Sequence, residues 1–168
     1  MLDPSPPSFD AWLAERRRLG QDGYDEVWGG VYHVAPMAHG RQGRLQFHLP
    51  ILLAEPADRA GLVGSGPVNI GQIGDFRVPD LVYLRPTEPV LYYATAALVV
   101  EIVSPGDETY QKFDFYFARW VEELLVVDPI EHSARWFVRG QSGFEPSPRS
   151  ELLGLAAADL QAQIDWPD

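Results

Sequence analysis

The chain has 168 residues and no cysteine, which excludes disulfides and cysteine-held metals. A hydrophobic content of 46% with 12% aromatics is that of one ordinary globular domain with a single sizeable core. Thirteen basic residues against 24 acidic ones give a net charge of −11, which opposes non-specific attraction to nucleic-acid phosphates but leaves room for a local basic groove.

In chain order, MLDPSPPS (residues 1–8) is proline-rich and predicts a loose arm. SFDAWLAERRRLG predicts a short helix, with Ser8 or Asp10 near its start and Gly20 past its end. Its cluster Arg16, Arg17 and Arg18 reads as a solvated face. In YDEVWGGVYHVAP two apolar runs flank Gly29 and Gly30, a hairpin signal. From about His39 to Ala60 the spacing of Leu45, Leu49, Leu52 and Leu53 predicts a helix, which Pro50 should kink or interrupt. GLVGSGPVNIG and DFRVPDLVYLRP predict two strands joined by a turn at Ile73, Gly74 and Asp75. AALVVEIVSP is a nearly unbroken apolar run, the mark of a central strand covered on both faces. A helix is expected from 107 to about 121, then strands in ELLVVDP and ARWFVRG and a short closing helix in ELLGLAAADLQAQIDWPD. Strands and helices interleave with no repeat and no domain-length linker, so the expectation is a single α/β (α+β) domain over residues 1–168 with a mixed sheet. No leader pattern and no apolar run of the roughly 18–20 residues a bilayer needs is present, so a soluble cytoplasmic protein with no membrane partner is expected.

Two acids sit in strand contexts that disfavour them. Glu101 interrupts the apolar run LVVEIVSP, and Asp80 follows Pro79 in FRVPDLVYL, read as one strand over 76–84. If the two strands are neighbours, the carboxylates converge and suit a magnesium ion, which takes few protein oxygens and keeps waters or a phosphate. In the following helix Tyr110, Phe113, Phe117, Trp120, Val121 and Leu124 form an apolar stripe toward the sheet. At about 100° per residue, Lys112, Tyr116, Arg119 and Glu123 share the flank beside it. Lys112 would then orient an attacking water or neutralise charge developing on a phosphate. Taken alone, Asp80 also fits a strand-end cap, Glu101 a pairing with Arg77 or Arg85, and Lys112 a solvated lysine.

The pieces GGVYHVAP, His39, Pro79 with Asp80, EIVSP, Lys112 with Tyr116, and ELLVVDP occur in this order over roughly residues 24–129. Together they resemble the Uma-type restriction endonuclease family, within the PD-(D/E)xK nuclease superfamily. The resemblance implies a restriction-endonuclease-like core, a central mixed β-sheet flanked by helices, with an N-terminal helix and hairpin. It implies that Asp80 and Glu101 bind Mg²⁺ or Mn²⁺ and that Asp80, Glu101 and Lys112 are catalytic, the lysine having moved from the position of Val103 to the next helix. A glycine is usual in that pattern where this chain has Trp120.

His39 and Tyr116 are additional candidates, and the hairpin acids Asp25 and Glu26 offer a further carboxylate; His33 and His48 fit no pattern. The leading expectation is a magnesium-dependent endonuclease hydrolysing phosphodiester bonds, with DNA as the candidate partner. A non-catalytic nuclease-fold interaction module and a small-molecule phosphoesterase using the same metal pair are the alternatives. The abundance of aromatics, with Trp136 and Trp166 outside the predicted core, predicts leftover apolar surface and a homodimer.

Overall fold

The structure, a computed structural model, describes residues 8–36, 38–104, 106 and 108–167. The expected arm therefore lies almost wholly outside the described residues. The first helix, α1, runs Phe9–Arg18 and starts where the Ser8 side chain accepts a hydrogen bond from the Ala11 amide. The Gly29–Gly30 turn joins β1 (Glu26–Trp28) to β2 (Val31–His33), both glycines having positive φ. Helix α2 spans Gly40–Arg59 without interruption, although Pro50 and Pro56 both lie inside it. Each proline removes a helix hydrogen bond at a cost of about 3 kcal/mol. Leu45, Leu49, Leu53 and Ala57 are buried along one face, and their burial holds the helix across both breaks.

Each of the two long strands expected between residues 61 and 86 is split into two short ones. These are β3 (Val63–Ser65) and β4 (Asn69–Gln72), then β5 (Asp75–Arg77) and β6 (Leu81–Leu84). Pro67 and Pro79 sit at the breaks, where a residue without an amide hydrogen ends a ladder. Asp80 accordingly lies at the break before β6 rather than inside a strand. After the short β7 (Tyr92–Tyr93) comes β8 (Leu98–Ile102), every residue of it buried, as a central strand requires.

The helix expected over 107–121 is shorter and begins differently. Residues Thr109–Lys112 form a 3₁₀ turn, and α3 covers only Phe113–Ala118. A 3₁₀ turn has three residues per turn, so a phase counted at 100° fails there. Tyr110 and Trp120, assigned to the apolar stripe, are 50% and 73% exposed, whereas Tyr116, assigned to its flank, is fully buried. Leu124 belongs to the next strand, β9 (Glu123–Asp128). Trp120 takes φ 61°, the left-handed region that favours glycine. The Arg139 guanidinium stacks on its ring at 4.6 Å and donates to the carbonyls of Phe117 (2.7 Å) and Val121 (3.1 Å), fastening the turn.

The chain closes with β10 (Ser133–Arg139), β11 (Phe144–Ser147), which sequence reading did not anticipate, and α4 (Ala157–Gln163). The strands form two mixed sheets rather than one. The larger has the order β11-β10-β9-β8-β6-β3 and the smaller β2-β1-β5-β4-β7. Among the described residues only the β8–β9 and β4–β7 pairings are parallel. The larger sheet buries one face under α2 and α4, through Leu49, Leu98, Val100, Leu125, Trp136 and Leu160. Its other face packs Val82, Val99 and Leu124 against Ile70 and Tyr116. Trp136, expected outside the core, is 1% exposed at its centre, and Trp166 packs partly buried against the same cluster. Among the described residues no helix is long and apolar enough to cross a membrane.

The C-terminal segment is tied to the larger sheet by a buried acid. Glu123 accepts from the Ser150 hydroxyl at 2.5 Å and from the amides of Glu151 and Leu152 at 2.7 and 2.8 Å. Glu123→Ala strands these three donors, and urea unfolding should register a loss of about 3 kcal/mol. A loss below about 1 kcal/mol would show that the three groups find other partners.

Candidate active site

Strands β6 and β8 pair antiparallel with Leu81 opposite Val100 and Val82 opposite Val99. One step further along the same register, Asp80 falls opposite Glu101. Side chains alternate across a sheet, so Glu101 projects to the face of Val99, where Tyr116 is packed, while Asp80, just outside β6, turns toward α2. Asp80 is fixed from three directions. Its Oδ2 accepts from the Ile102 amide at 2.7 Å, and its Oδ1 accepts from the Gln42 side-chain amide at 2.8 Å. Gln46, one turn further along α2, donates to the Asp80 carbonyl at 3.2 Å. Ser104 in turn donates to Gln42 Oε1 at 2.9 Å and so orients that amide.

Glu101 is held by the next helical segment. The Tyr116 hydroxyl donates to Oε1 at 2.5 Å, and Lys112 Nζ lies 3.2 and 3.3 Å from the two carboxylate oxygens. The same ammonium lies 3.0 Å from Glu26 Oε1. Glu26 is anchored by the Val78 amide at 2.8 Å and by the Trp28 indole at 2.7 Å. Trp28 stacks on the Arg77 guanidinium, whose other side rests on Phe115. Arg77 is therefore not the partner of Glu101, and Arg85 pairs with Glu122.

The electrostatics follow from burial and from the count of charges. Burial is the largest influence on Glu101 and disfavours its charge. The Lys112 cation pulls the other way, but Asp80 and Glu26 add repulsion, and the carboxyl ends up pushed to about 7. For Lys112 burial also disfavours charge, yet Glu101 and Glu26 outweigh it and hold the group above the ordinary lysine value. Burial, with Glu101 and Glu26, likewise pushes the Tyr116 hydroxyl well up, so it remains a proton donor.

Sequence-singled residues thus separate into two groups. Glu101, Lys112, Tyr116 and Glu26 are joined by direct contacts, and Asp80 lies opposite Glu101 at the start of the neighbouring strand. Asp25 turns instead to Arg16, the Tyr32 hydroxyl and the Ala35 amide. His39 stands exposed at the start of α2, its Nδ1 accepting from the Arg41 amide, which makes it a helix cap. Gln42, Gln46 and Ser104 escaped sequence reading, since uncharged amides and hydroxyls carry no spacing signal of their own. Glu26 had a usable signal: in the β-pattern of Glu26–Trp28 its side chain shares a face with Trp28 and differs from that of Val27.

Three buried carboxylates, Glu26, Asp80 and Glu101, share this region with one lysine that touches two of them. Hard oxygen donors in excess over cations fit a divalent metal at Asp80 and Glu101. Among the described residues no three Asp, Glu, His or Cys side chains converge as a ready cage. Such an ion would therefore keep much of its shell for water and substrate oxygens, as magnesium commonly does.

A crystal structure from Anabaena variabilis ATCC 29413, titled "a putative nuclease belonging to DUF820", matches 94% of this chain and 98% of its own with a TM-score of 0.68. At 15% identity the likeness shows the fold alone, a mixed α/β architecture shared over nearly the whole chain. The Uma2 family model, described as "Putative restriction endonuclease", matches residues 9–163, and the chain belongs to that family. No curated protein matches the chain.

The raised Glu101 carboxyl has a measurable consequence. Its folded value near 7 lies above the ordinary 4.5, so between those pH values the folded chain holds a proton that the unfolded chain has released. Stability should fall through this group as pH rises from about 4.5 to 7. Glu101→Gln removes the titration. Urea unfolding at pH 5 and pH 8 should show the wild type losing stability relative to the variant. A gap constant across that range would mean that Glu101 stays ionised throughout.

Proposed function

We propose that this protein is a divalent-metal-dependent nuclease in which Asp80 and Glu101 hold Mg²⁺ or Mn²⁺ and Lys112 assists hydrolysis of a phosphodiester bond. The observation that carries the reading is the Lys112 ammonium, 3.2 Å from buried Glu101 on the strand beside Asp80. Family membership supports a nuclease-like activity. A metal ion bound there would polarise the phosphodiester and lower the pKa of a coordinated water.

The chain's own residues divide the remaining tasks. Held above its ordinary pKa, Lys112 is a cation and not a general base, so it orients the attacking water and offsets charge developing on the phosphate. Tyr116 keeps the Glu101 carboxylate in one rotamer, while Gln42 and the Ile102 amide do the same for Asp80. Glu26 holds the lysine from its far side. DNA in the cytoplasm is the proposed substrate, and its binding to a −11 chain should weaken steeply with salt. A homodimer is part of the proposal, resting on exposed apolar side chains such as Phe47 and Leu91, at 77% and 73% exposure, in place of the buried Trp136.

Calorimetry with Mg²⁺ or Mn²⁺ tests the site without any substrate. Asp80→Ala and Glu101→Ala should each abolish binding. In the wild type, affinity should rise with pH up to about 7, because a proton on Glu101 competes with the cation. Metal binding unchanged in Asp80→Ala sinks the assignment.

The lysine is tested by rate. Lys112→Ala should leave metal binding nearly intact and slow phosphodiester cleavage by about 10²- to 10³-fold, the usual loss for one transition-state donor. Equal cleavage in EDTA would instead refute the metal mechanism.

A further inference from the structure

Beside Asp80, between α2 and the edge of the larger sheet, lies a cavity of about 500 Å³. Its wall comes from Gln46, Pro50 and Ala54 of α2, from the segment Gly64–Pro67, and from Leu81 and Tyr83 of β6. Two features tie it to the site. Leu81 directly follows Asp80, and Gln46 donates to the Asp80 carbonyl.

Its polar equipment is specific. Tyr83 is 4% exposed, lines the cavity, and its hydroxyl has no hydrogen-bond partner among the described residues. The residue is buried as a whole but the hydroxyl itself still opens on the cavity, so it can hydrogen-bond a ligand there. The ring lies over Gly64, where a Cβ would come within 3.0 Å of it, so the glycine leaves the space the ring occupies. Gln46 donates one amide hydrogen to the Asp80 carbonyl and keeps the second, together with its Oε1 acceptor. Pro50, Pro67 and Leu81 supply flat apolar surface, and Tyr24, 57% exposed at the rim, supplies an aromatic face. The one charged residue of the lining, Asp58, is acidic and disfavours phosphate there.

We infer that this cavity binds a nucleobase of the strand whose phosphodiester lies at Asp80 and Glu101. A base is flat and uncharged and carries donors and acceptors along its edge, matching Tyr83, Gln46 and Asp58. A base inside a duplex has its edge paired and its faces stacked, so the base that enters is unpaired, from a single strand or a locally opened duplex. The inference rests on the nuclease reading for its substrate class.

Uncharged nucleosides are the suitable probe, because they carry no phosphate and need no metal. Adenosine, guanosine, cytidine and thymidine are titrated into the metal-free full-length protein and followed by NMR. At least one should bind with millimolar or better affinity. Tyr83→Phe, which removes a single hydroxyl, should weaken that binding about tenfold. Ala54→Trp, which fills the cavity from an exposed helix position, should abolish it. Circular dichroism of both variants should match the wild type. Absence of binding by all four nucleosides up to millimolar concentration, or full affinity retained in either variant, overturns the inference. Neither result bears on metal binding by Asp80 and Glu101, so failure of the cavity and failure of the nuclease reading are told apart.

Discussion

The Lys112 ammonium lies between a carboxylate of each sheet, Glu26 on β1 of the smaller and Glu101 on β8 of the larger. Few backbone hydrogen bonds could do this work, since the two sheets share no ladder. A buried cation flanked by two buried anions is held tightly, because removing any member leaves an uncompensated charge in a low-dielectric setting. The geometry of the site therefore depends on how the sheets sit together, and the sheets are fastened in part through the site. Pro79 and Asp80 lie where the chain passes from β5 in one sheet to β6 in the other, so the crossing itself delivers an acid to the same place.

Excess negative charge organises what surrounds that contact. Each acid is fixed by neutral donors: Gln42 and the Ile102 amide for Asp80, Tyr116 for Glu101, Trp28 and the Val78 amide for Glu26. Neutral donors hold a carboxylate's direction without cancelling its charge. With Lys112 as their one cation, the three acids keep an excess of negative charge, and the Glu101 carboxyl is pushed up to about 7, burial being the largest cause. Pre-set direction with uncancelled charge is what a cation-dependent site requires.

Much of this was legible in the sequence, and the parts that were not have identifiable causes. The burial of β8 was visible in the unbroken run LVVEI, and Glu101 stood out because no other strand residue there is charged. Lys112 was reached by a helical phase that does not apply to its own 3₁₀ turn; it points inward because Glu26 and Glu101 draw it there. The same phase misplaced Tyr116 and Trp120, since a six-residue helix is too short for periodicity to show its buried face. The split of 61–86 into two sheets was written in Pro67 and Pro79, but sheet membership depends on distant partners that no local window contains. Continuity of α2 through two prolines went the other way, with core burial overriding a strong local rule. Gln42 and Ser104 were beyond reach, because their roles exist only once α2 lies beside the end of β8.

The Glu123 latch carries a consequence for how this chain comes into being. Glu123 opens β9, the parallel neighbour of β8, while the donors that satisfy it arrive only at residues 150–152. On the ribosome the strand pair at the heart of the molecule is synthesised well before its buried carboxylate has anything to bind. A nascent chain released early would carry that naked anion in its core and stay open to proteases. The segment around residues 150–152 is therefore part of what closes the sheet over β9, although it lies far from that strand in the chain.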